Sequence, residues 1–359
     1  MPQVKVGIVG SGGIGLAYAA WIALAGHHVS IWSPRGSADA LRSEPLSASG
    51  VVDVTADVGC ATSARELATS TDVIVIAVPV NGHKSVMDEL LPHLRGDQTV
   101  IVSSMGSLSS LYLFERAQSL GLNLRVASFG TTVLTARRQH AGQVNVTTKR
   151  SVVPMSCLPS GDLPKALGIC ELLFGDVFAP EDHSLVTTLA NSNPISHVPL
   201  ALFNWTRIER AEAWPQFHYM TPHVCSVIEK LDAERMGVAN AFGTNVASVS
   251  QHLSRSFDIT EPTLAGIAAE LHKRRGGPAG PKDIQTRYLS EDVPFGLVFL
   301  RALADIAQIP VPVTNALIDM SNLVLGVNFY ADNDLIPALG LSSESVDGLL
   351  VRTGSARMA

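Results

Sequence analysis

The first fifteen residues restrict what this chain can fold into more than any later stretch. Val4-Lys5-Val6-Gly7-Ile8-Val9 is a short apolar strand, and it runs directly into Gly10-Ser11-Gly12-Gly13-Ile14-Gly15 before a helix-like segment over 16–25. Strand, G-x-G-x-x-G turn and helix in that order, with a further strand at 29–32, open a dinucleotide-binding fold. Each glycine has a physical task. Gly10 makes the tight turn, Gly12 lets backbone approach a pyrophosphate, and Gly15 lets helix and strand pack closely. The pyrophosphate rests on N–H groups at the helix N-terminus, where the dipole favours an anion. Gly10, Ser11, Gly12, Gly13, Ile14 and Gly15 are therefore expected to bind cofactor, with Val78 and Pro79 at the end of a later strand.

Over 6–26 there is no charged residue, and with Lys5 in front the stretch could be read as a leader or a membrane span. Its glycines argue otherwise, since glycine costs about 1 kcal/mol per helical position relative to alanine. No targeting segment is expected. At 359 residues and 46% hydrophobic the chain can fill two cores, and a net charge of −6 gives no reason to bind nucleic acid or an anionic membrane. Cys60, Cys157, Cys170 and Cys225 are far apart, with no C-x-x-C and no zinc spacing, so buried thiols in a reducing cytoplasm and no metal are expected.

Strand-like and helix-like runs alternate before residue 185. Strands are expected at 73–78, 99–102 and 124–129, helices at 84–94 and 109–120, and a closing hairpin of 143–148 with 151–157 around Lys149-Arg150. The apolar run at 73–78, ending at Pro79, has the pattern of a strand buried on both faces. Beyond Glu181 helical periodicity takes over, at 223–241, 293–307 and 313–325. The expected architecture is an α/β Rossmann-type N-terminal domain, 1–185, followed by an all-α C-terminal domain, 186–359. Apolar stretches such as 313–325 are either core or a homodimer face.

Two segments of the second half carry chemistry. Asn191-Ser192-Asn193-Pro194-Ile195-Ser196-His197-Val198-Pro199 places a histidine with Asn193 four residues earlier on the same helical face. Thr286-Arg287-Tyr288-Leu289-Ser290-Glu291-Asp292-Val293-Pro294 offers Arg287 and Asp292, which could equally be a surface ion pair with Asp292 as a helix N-cap. The glycine-rich start, NSNPISHVP, RYLSEDVPFGLV and LDAERMGVANAFG (231–243), in their order and spacing, resemble the opine dehydrogenases of the octopine/nopaline type over essentially the whole chain. The resemblance implies His197 as general acid/base, Asp292 as its partner and Arg287 as the binder of substrate carboxylate. It also implies a Rossmann domain carrying a helical one, with substrate in the cleft between them. Asn193 and Thr132 are further substrate-binding candidates.

The chemistry fits those side chains. Opine synthesis joins a neutral amine to a 2-keto acid, loses water and reduces the imine by hydride from a nicotinamide. Proton transfer to the carbonyl and carbinolamine oxygens needs a group titrating near neutrality, as histidine does. A carboxylate behind the ring fixes its tautomer, and a guanidinium can orient the keto acid's carboxylate.

Two positions depart from pattern. An NAD-preferring fold offers Asp or Glu at the end of the second strand, where this chain has Trp32-Ser33-Pro34-Arg35. Ser33 and Arg35 favour NADP(H), with NAD(H) still usable. Phe217-His218-Tyr219-Met220-Thr221-Pro222 is shorter than in relatives, which bears on the amine pocket. The competing reading is a simple 2-keto or 2-hydroxy acid oxidoreductase resembling ketopantoate reductase. That family relies on a lysine of the helical domain, and Lys230 sits among Glu229, Asp232 and Glu234 as an exposed helix charge would. A third class is a nucleotide-binding sensor without catalysis.

Overall fold

The computed structural model describes residues 3–354, and of Arg275 only the backbone. Two compact units result: one holds the chain up to Thr188 and takes it up again at Leu350, and the other is Leu189–Leu349. The return is anchored within the first unit by Arg352, whose Nε and Nη2 donate to the Glu115 carboxylate at 2.7 and 2.9 Å. An assignment of all of 186–359 to the helical domain does not provide for this return. The few residues involved are too short a run to carry periodicity.

In the first unit, β1 (Lys5–Val9), β2 (His28–Trp32), β3 (Leu46–Gly50), β4 (Val54–Ala56), β5 (Gly59–Cys60), β6 (Val73–Ile76), β7 (Thr99–Val102), β8 (Arg125–Phe129), β9 (Leu134–His140), β10 (Gln143–Lys149), β11 (Val153–Leu158) and β12 (Phe178–Pro180) form two sheets. The larger runs β12-β11-β8-β7-β6-β1-β2-β5 and is parallel except where β11 lies antiparallel to β8. Its strand order reverses between β1 and β6, so the loops leaving those strands share the crevice where doubly wound sheets bind ligands. β6 and β7 are buried along their whole length, as strands covered on both faces must be.

The smaller sheet, β4-β3-β10-β9, accounts for the uncharged stretch. Helix α1 (Gly13–Leu24) is buried from Gly15 to Ala20 and at Ile22. Its core includes Val6, Ile8 and Ile31 of the large sheet together with Leu46, Ala48, Val144 and Val146 of the small one. A helix apolar all round is a buried helix, and this one is covered from two sides. Tyr18 carries the polar link: its hydroxyl accepts the Val133 N–H at 2.9 Å and lies 2.7 Å from Ser103 Oγ. Burial pushes that phenol up to about 12, so it stays neutral.

The expected hairpin does not form. β10 instead pairs antiparallel with β9 across a turn at Gly142, which takes the left-handed φ of +67°, and β11 crosses to the large sheet beside β8. Lys149-Arg150 has the composition of an exposed turn, but Arg150 is half-buried, its Nε donating to Thr132 O at 2.9 Å and its backbone N–H to Val133 O. Of the other strands, β1, β2, β6, β7 and β8 match expectation in place and extent to within two residues at either end, while β3, β4, β5, β9 and β12 are not among those expected.

The second unit is helical, and among the described residues its only strand-like pairing is the bridge between Pro215 and Ala279. The long helix Pro222–Ala241 organises it with charges turned inward. Arg235 is 2% exposed and donates through Nε and Nη2 to Asp232 Oδ1 at 2.9 and 2.6 Å. Its remaining donors reach Leu189 O, just ahead of the His197 helix, and Ala247 O. Asp232 Oδ2 accepts the Val249 N–H, and Glu234 takes Val313 N–H, Thr314 N–H and Thr314 Oγ–H at the start of helix Pro312–Leu325. Lys230 and Glu229 are exposed, as expected, but Asp232 is not. Among the described residues no helix is long and apolar enough to cross a membrane.

Arg235→Met leaves the Asp232 carboxylate buried without its counter-ion. Breaking such a pair costs about 3–5 kcal/mol, so chemical denaturation should show a loss of that size, and Asp232→Leu combined with Arg235→Met should be less destabilised than Arg235→Met alone.

Candidate active site

Two constellations of candidate residues stand out, one in each unit. In the first unit the glycine-rich loop is packed tightly at every glycine but one. Gly10 stands at φ +108°, and a Cβ there would meet Ala77 O and Val78 Cγ1 at 2.8 Å, which places the turn against the residues ahead of Pro79. A Cβ on Gly15 would lie 2.0 Å from Gly10 O, and one on Gly13 2.8 Å from Ala136 O of β9. Gly12 has nothing within 4 Å of that point, and as the residue before α1 it brings no side-chain cap. The loop is thus filled except where the backbone N–H groups of the first helical turn begin, and that open, positively poled end fits a dinucleotide diphosphate.

Hydroxyls line the neighbouring turn. Ser33 Oγ lies 2.6 Å from Ser37 Oγ, which lies 2.7 Å from Ser11 Oγ, while Arg35 is exposed on the same turn. Arg138 of β9 ties this together, donating to Ser11 O at 3.2 Å and Ser37 O at 3.4 Å. His83 secures the loop after β6: its Nε2 donates to Val78 O at 3.1 Å and its Nδ1 accepts from Ser109 Oγ at 2.9 Å. Burial pushes that imidazole down to about 4, so it is neutral and serves as a fixed link.

In the second unit His197 stands on helix Asn193–Leu202 and Asp292 precedes the π-helical segment Val293–Val298. His197 Nδ1 donates to Asp292 Oδ2 at 2.8 Å, with the two side chains 15% and 11% exposed. An ionised carboxylate only accepts, so Nδ1 carries the hydrogen and Nε2 is the nitrogen left for exchange. Asp292 makes no side-chain cap bond, and Arg287 faces Glu291 at 3.8 Å, so neither bland alternative for Asp292 is what the chain adopts. Close packing sets the 2.8 Å contact. A Cβ on Gly296 would come within 2.4 Å of the Pro194 ring, and the buried Asn333 holds Pro294 O at 2.9 Å. A π-turn at such a place is a common mark of a functional site.

Tyr288 completes the cluster. Its ring lies face to face with the His197 imidazole, centroids 3.8 Å apart and planes 2° from parallel, and Gln216 Nε2 donates to its hydroxyl. Of the other expected substrate residues, Arg287 has a side chain 62% exposed next to Tyr288. Asn193 is half-buried on the His197 helix, its backbone N–H donating to Asn191 Oδ1. Thr132 is half-buried in the first unit, its carbonyl held by Arg150. Sequence reasoning missed Tyr288, Gln216, His83, Ser37 and Arg138. Tyr288 lies inside a motif already singled out and His83 five residues after Val78, whereas nothing local marks Arg138 or Gln216.

Residues 180–325 match the family model for the NAD/NADP octopine/nopaline dehydrogenase alpha-helical domain, and residues 6–157 match that for ketopantoate reductase PanE/ApbA. The opine dehydrogenase of Arthrobacter sp. (strain 1C) is 28% identical over 352 residues, covering 95% of this chain and 96% of its own. Among solved structures, octopine dehydrogenase with NADH and L-arginine superposes with a TM-score of 0.78 at 17% identity, covering 99% of this chain and 100% of its own. Yersinopine dehydrogenase with NADP+ bound does so with a TM-score of 0.73 at 14% identity, covering 98% of both. The helical-domain match and the full-length relatives agree: over essentially its whole length the chain is similar to the opine dehydrogenases.

Proposed function

We propose that this protein is an NADPH-preferring opine dehydrogenase that condenses an amino acid or related amine with a 2-keto acid, reduces the imine to an N-(carboxyalkyl) amino acid, and runs the reverse oxidation. The observation that carries the reading is the His197–Asp292 contact at 2.8 Å beneath the Tyr288 ring. A bound nicotinamide would supply or accept the hydride. Everything else falls to this chain's side chains. Neutral His197, its Nδ1–H fixed on Asp292, takes the proton shed by the attacking amine at Nε2. It returns that proton to the former carbonyl oxygen, giving the carbinolamine, then takes the second N–H proton and delivers it to the hydroxyl, which leaves as water while the nitrogen lone pair forms the C=N bond of the imine. The Asp292 carboxylate offsets the charge on the ring between each uptake and delivery. Arg287, with its guanidinium largely exposed and Glu291 only at 3.8 Å, is proposed to hold the keto acid's carboxylate, with Asn193 and Thr132 as further substrate contacts.

Gly10, Ser11, Gly12, Gly13, Ile14 and Gly15, with Val78 and Pro79, are proposed to cradle the dinucleotide, and Ser33 and Arg35 to take a 2′-phosphate. The row of three hydroxyls and the lack of any carboxylate across Trp32-Ser33-Pro34-Arg35 support NADPH over NADH. Ketone reduction without an amine is disfavoured because Lys230, the lysine that such a reaction would use, is exposed on its helix beside the exposed Glu229. Free thiols at all four cysteines fit a reducing cytoplasm. NADPH oxidation with keto acid alone, with keto acid plus a panel of amino acids, and with neither tests the whole reading. Turnover that does not depend on an amine refutes it.

His197→Ala should lower kcat by about 10² to 10⁴ while nucleotide still binds. Asp292→Asn should lower kcat as well, and the combined variant should lose less than the sum, as expected of groups acting as a unit. Full activity in His197→Ala would assign the proton to another residue.

NADPH should give the higher kcat/KM, and Arg35→Ala should raise the KM for NADPH with little effect on NADH. Gly12→Ala, whose methyl meets open space, should keep the melting temperature but weaken dinucleotide binding measured by fluorescence titration. Equal use of NADH by the unmodified protein would end the cofactor assignment.

Arg287→Lys keeps the charge and loses the forked geometry. A lost charged hydrogen bond of roughly 1.5–3 kcal/mol corresponds to about tenfold to over a hundredfold in kcat/KM for the keto acid, with NADPH binding unchanged. An unchanged KM with a lowered melting temperature would make Arg287 an ion-pair partner of Glu291 only.

A further inference from the structure

The His197–Asp292 bond alone does not fix the histidine. One hydrogen bond at Nδ1 places that atom but leaves the imidazole able to tilt about the contact, which swings Nε2, the atom that must meet the substrate. Within the helical unit a second constraint removes this freedom. Tyr288 lies flat on the imidazole, 3.8 Å between centroids and 2° between planes, and covers one face of it against water. The tyrosine is in turn held at its far end, where Gln216 Nε2 donates to its hydroxyl and, at 3.0 Å, to Ala279 O.

Gln216 is built into a rigid pair of loops. Its backbone N–H donates to Pro278 O at 3.0 Å, Gly280 N–H donates to Trp214 O at 2.7 Å, and Trp214 Nε1 donates to Pro281 O at 3.0 Å. Two glycines allow this closeness. A Cβ on Gly277 would lie 2.4 Å from the Phe217 ring, and one on Gly280 2.1 Å from the Trp214 ring. The support therefore runs from the zipped loops through Gln216 and Tyr288 to the imidazole. It includes the stretch at 214–220 and the glycine- and proline-rich loop at 276–281, neither of which the reaction itself uses.

We propose that Tyr288 and Gln216 are positioning residues of this enzyme: the tyrosine ring sets the plane of the His197 imidazole, and Gln216 sets the ring. The inference rests on His197 being the proton-transfer residue, and it assigns both side chains to orientation, with no contact to substrate required. A misaimed acid/base costs turnover and leaves binding alone.

The test compares Tyr288→Leu, Tyr288→Phe, Gln216→Leu and the Gln216→Leu/Tyr288→Phe combination with His197→Ala, in steady-state kinetics and by proton NMR of the histidine rings. Tyr288→Leu should lower kcat by about tenfold to a hundredfold, with the KM for keto acid, amine and NADPH each within about twofold. Tyr288→Phe keeps the stacked ring and should restore most of the loss. Gln216→Leu and Tyr288→Phe break the same link, so each should cost about threefold in kcat and their combination no more than either. The His197 ring protons, identified by their loss in His197→Ala, should be shifted upfield by the tyrosine ring current and move downfield in Tyr288→Leu. An unchanged kcat in Tyr288→Leu while His197→Ala is disabled overturns the proposal, as does a loss confined to KM or the absence of the upfield shift. Should Tyr288→Leu fail to fold, unchanged kcat in both Gln216→Leu and Tyr288→Phe overturns it equally. Activity in His197→Ala would instead remove the acid/base assignment on which it rests.

Discussion

The first unit depends on how closely α1 lies on β1. With Gly10 O only 2.0 Å from where a Gly15 side chain would begin, no other residue fits at that crossing, and the helix is brought down onto the sheet. From that approach follow the aim of the helix N-terminus at the crevice beyond β1 and β6 and the open space left at Gly12. The burial of α1 on nearly all sides has the same origin, since the smaller sheet packs on the side turned away from β1. That is why this segment is uncharged without being a membrane span.

The helical unit obeys a different rule, since its precision comes from charges. Asp232, Glu234 and Arg235 lie within one turn of helix Pro222–Ala241, yet they reach Leu189, Ala247, Val249, Val313 and Thr314. Leu189 stands directly ahead of the segment that carries His197, so the buried guanidinium fixes where that helix starts. The Pro194–Gly296 approach and the Asn333 contact then bring Asp292 to hydrogen-bonding distance across 95 residues of chain.

Much of this is legible in the sequence because it is encoded locally. The glycine turn, the apolar parallel strands and the long helices each follow from short-range pattern, and His197 and Asp292 stand out within recognisable motifs. What is not legible is long-range. β3, β4 and β5 carry too few apolar residues to announce themselves, with Leu46-Ser47-Ala48-Ser49-Gly50 reading as loop. Arg150 looks like a turn residue until its carbonyl partner is known, and for that reason the sequence alone points to a hairpin around it. Asp232 looks like a surface charge because helical spacing reports the face of its own helix and not what packs over it. Tyr288 and Gln216 are 72 residues apart, and no local signal connects them.

The smaller sheet has a bearing on the order in which the protein can be assembled. Its four strands come from two separate parts of the chain, β3 and β4 before β6 and β9 and β10 after β8, yet together they cover α1, which leaves the ribosome ahead of all four. Until residue 149 has been synthesised, the apolar back of that helix has nothing to rest on, and the nascent glycine loop lacks the β9 backbone that crowds Gly13. The nucleotide-binding unit therefore matures as a late, non-local event, slow by the standards of a fold whose sequence begins with its most recognisable motif.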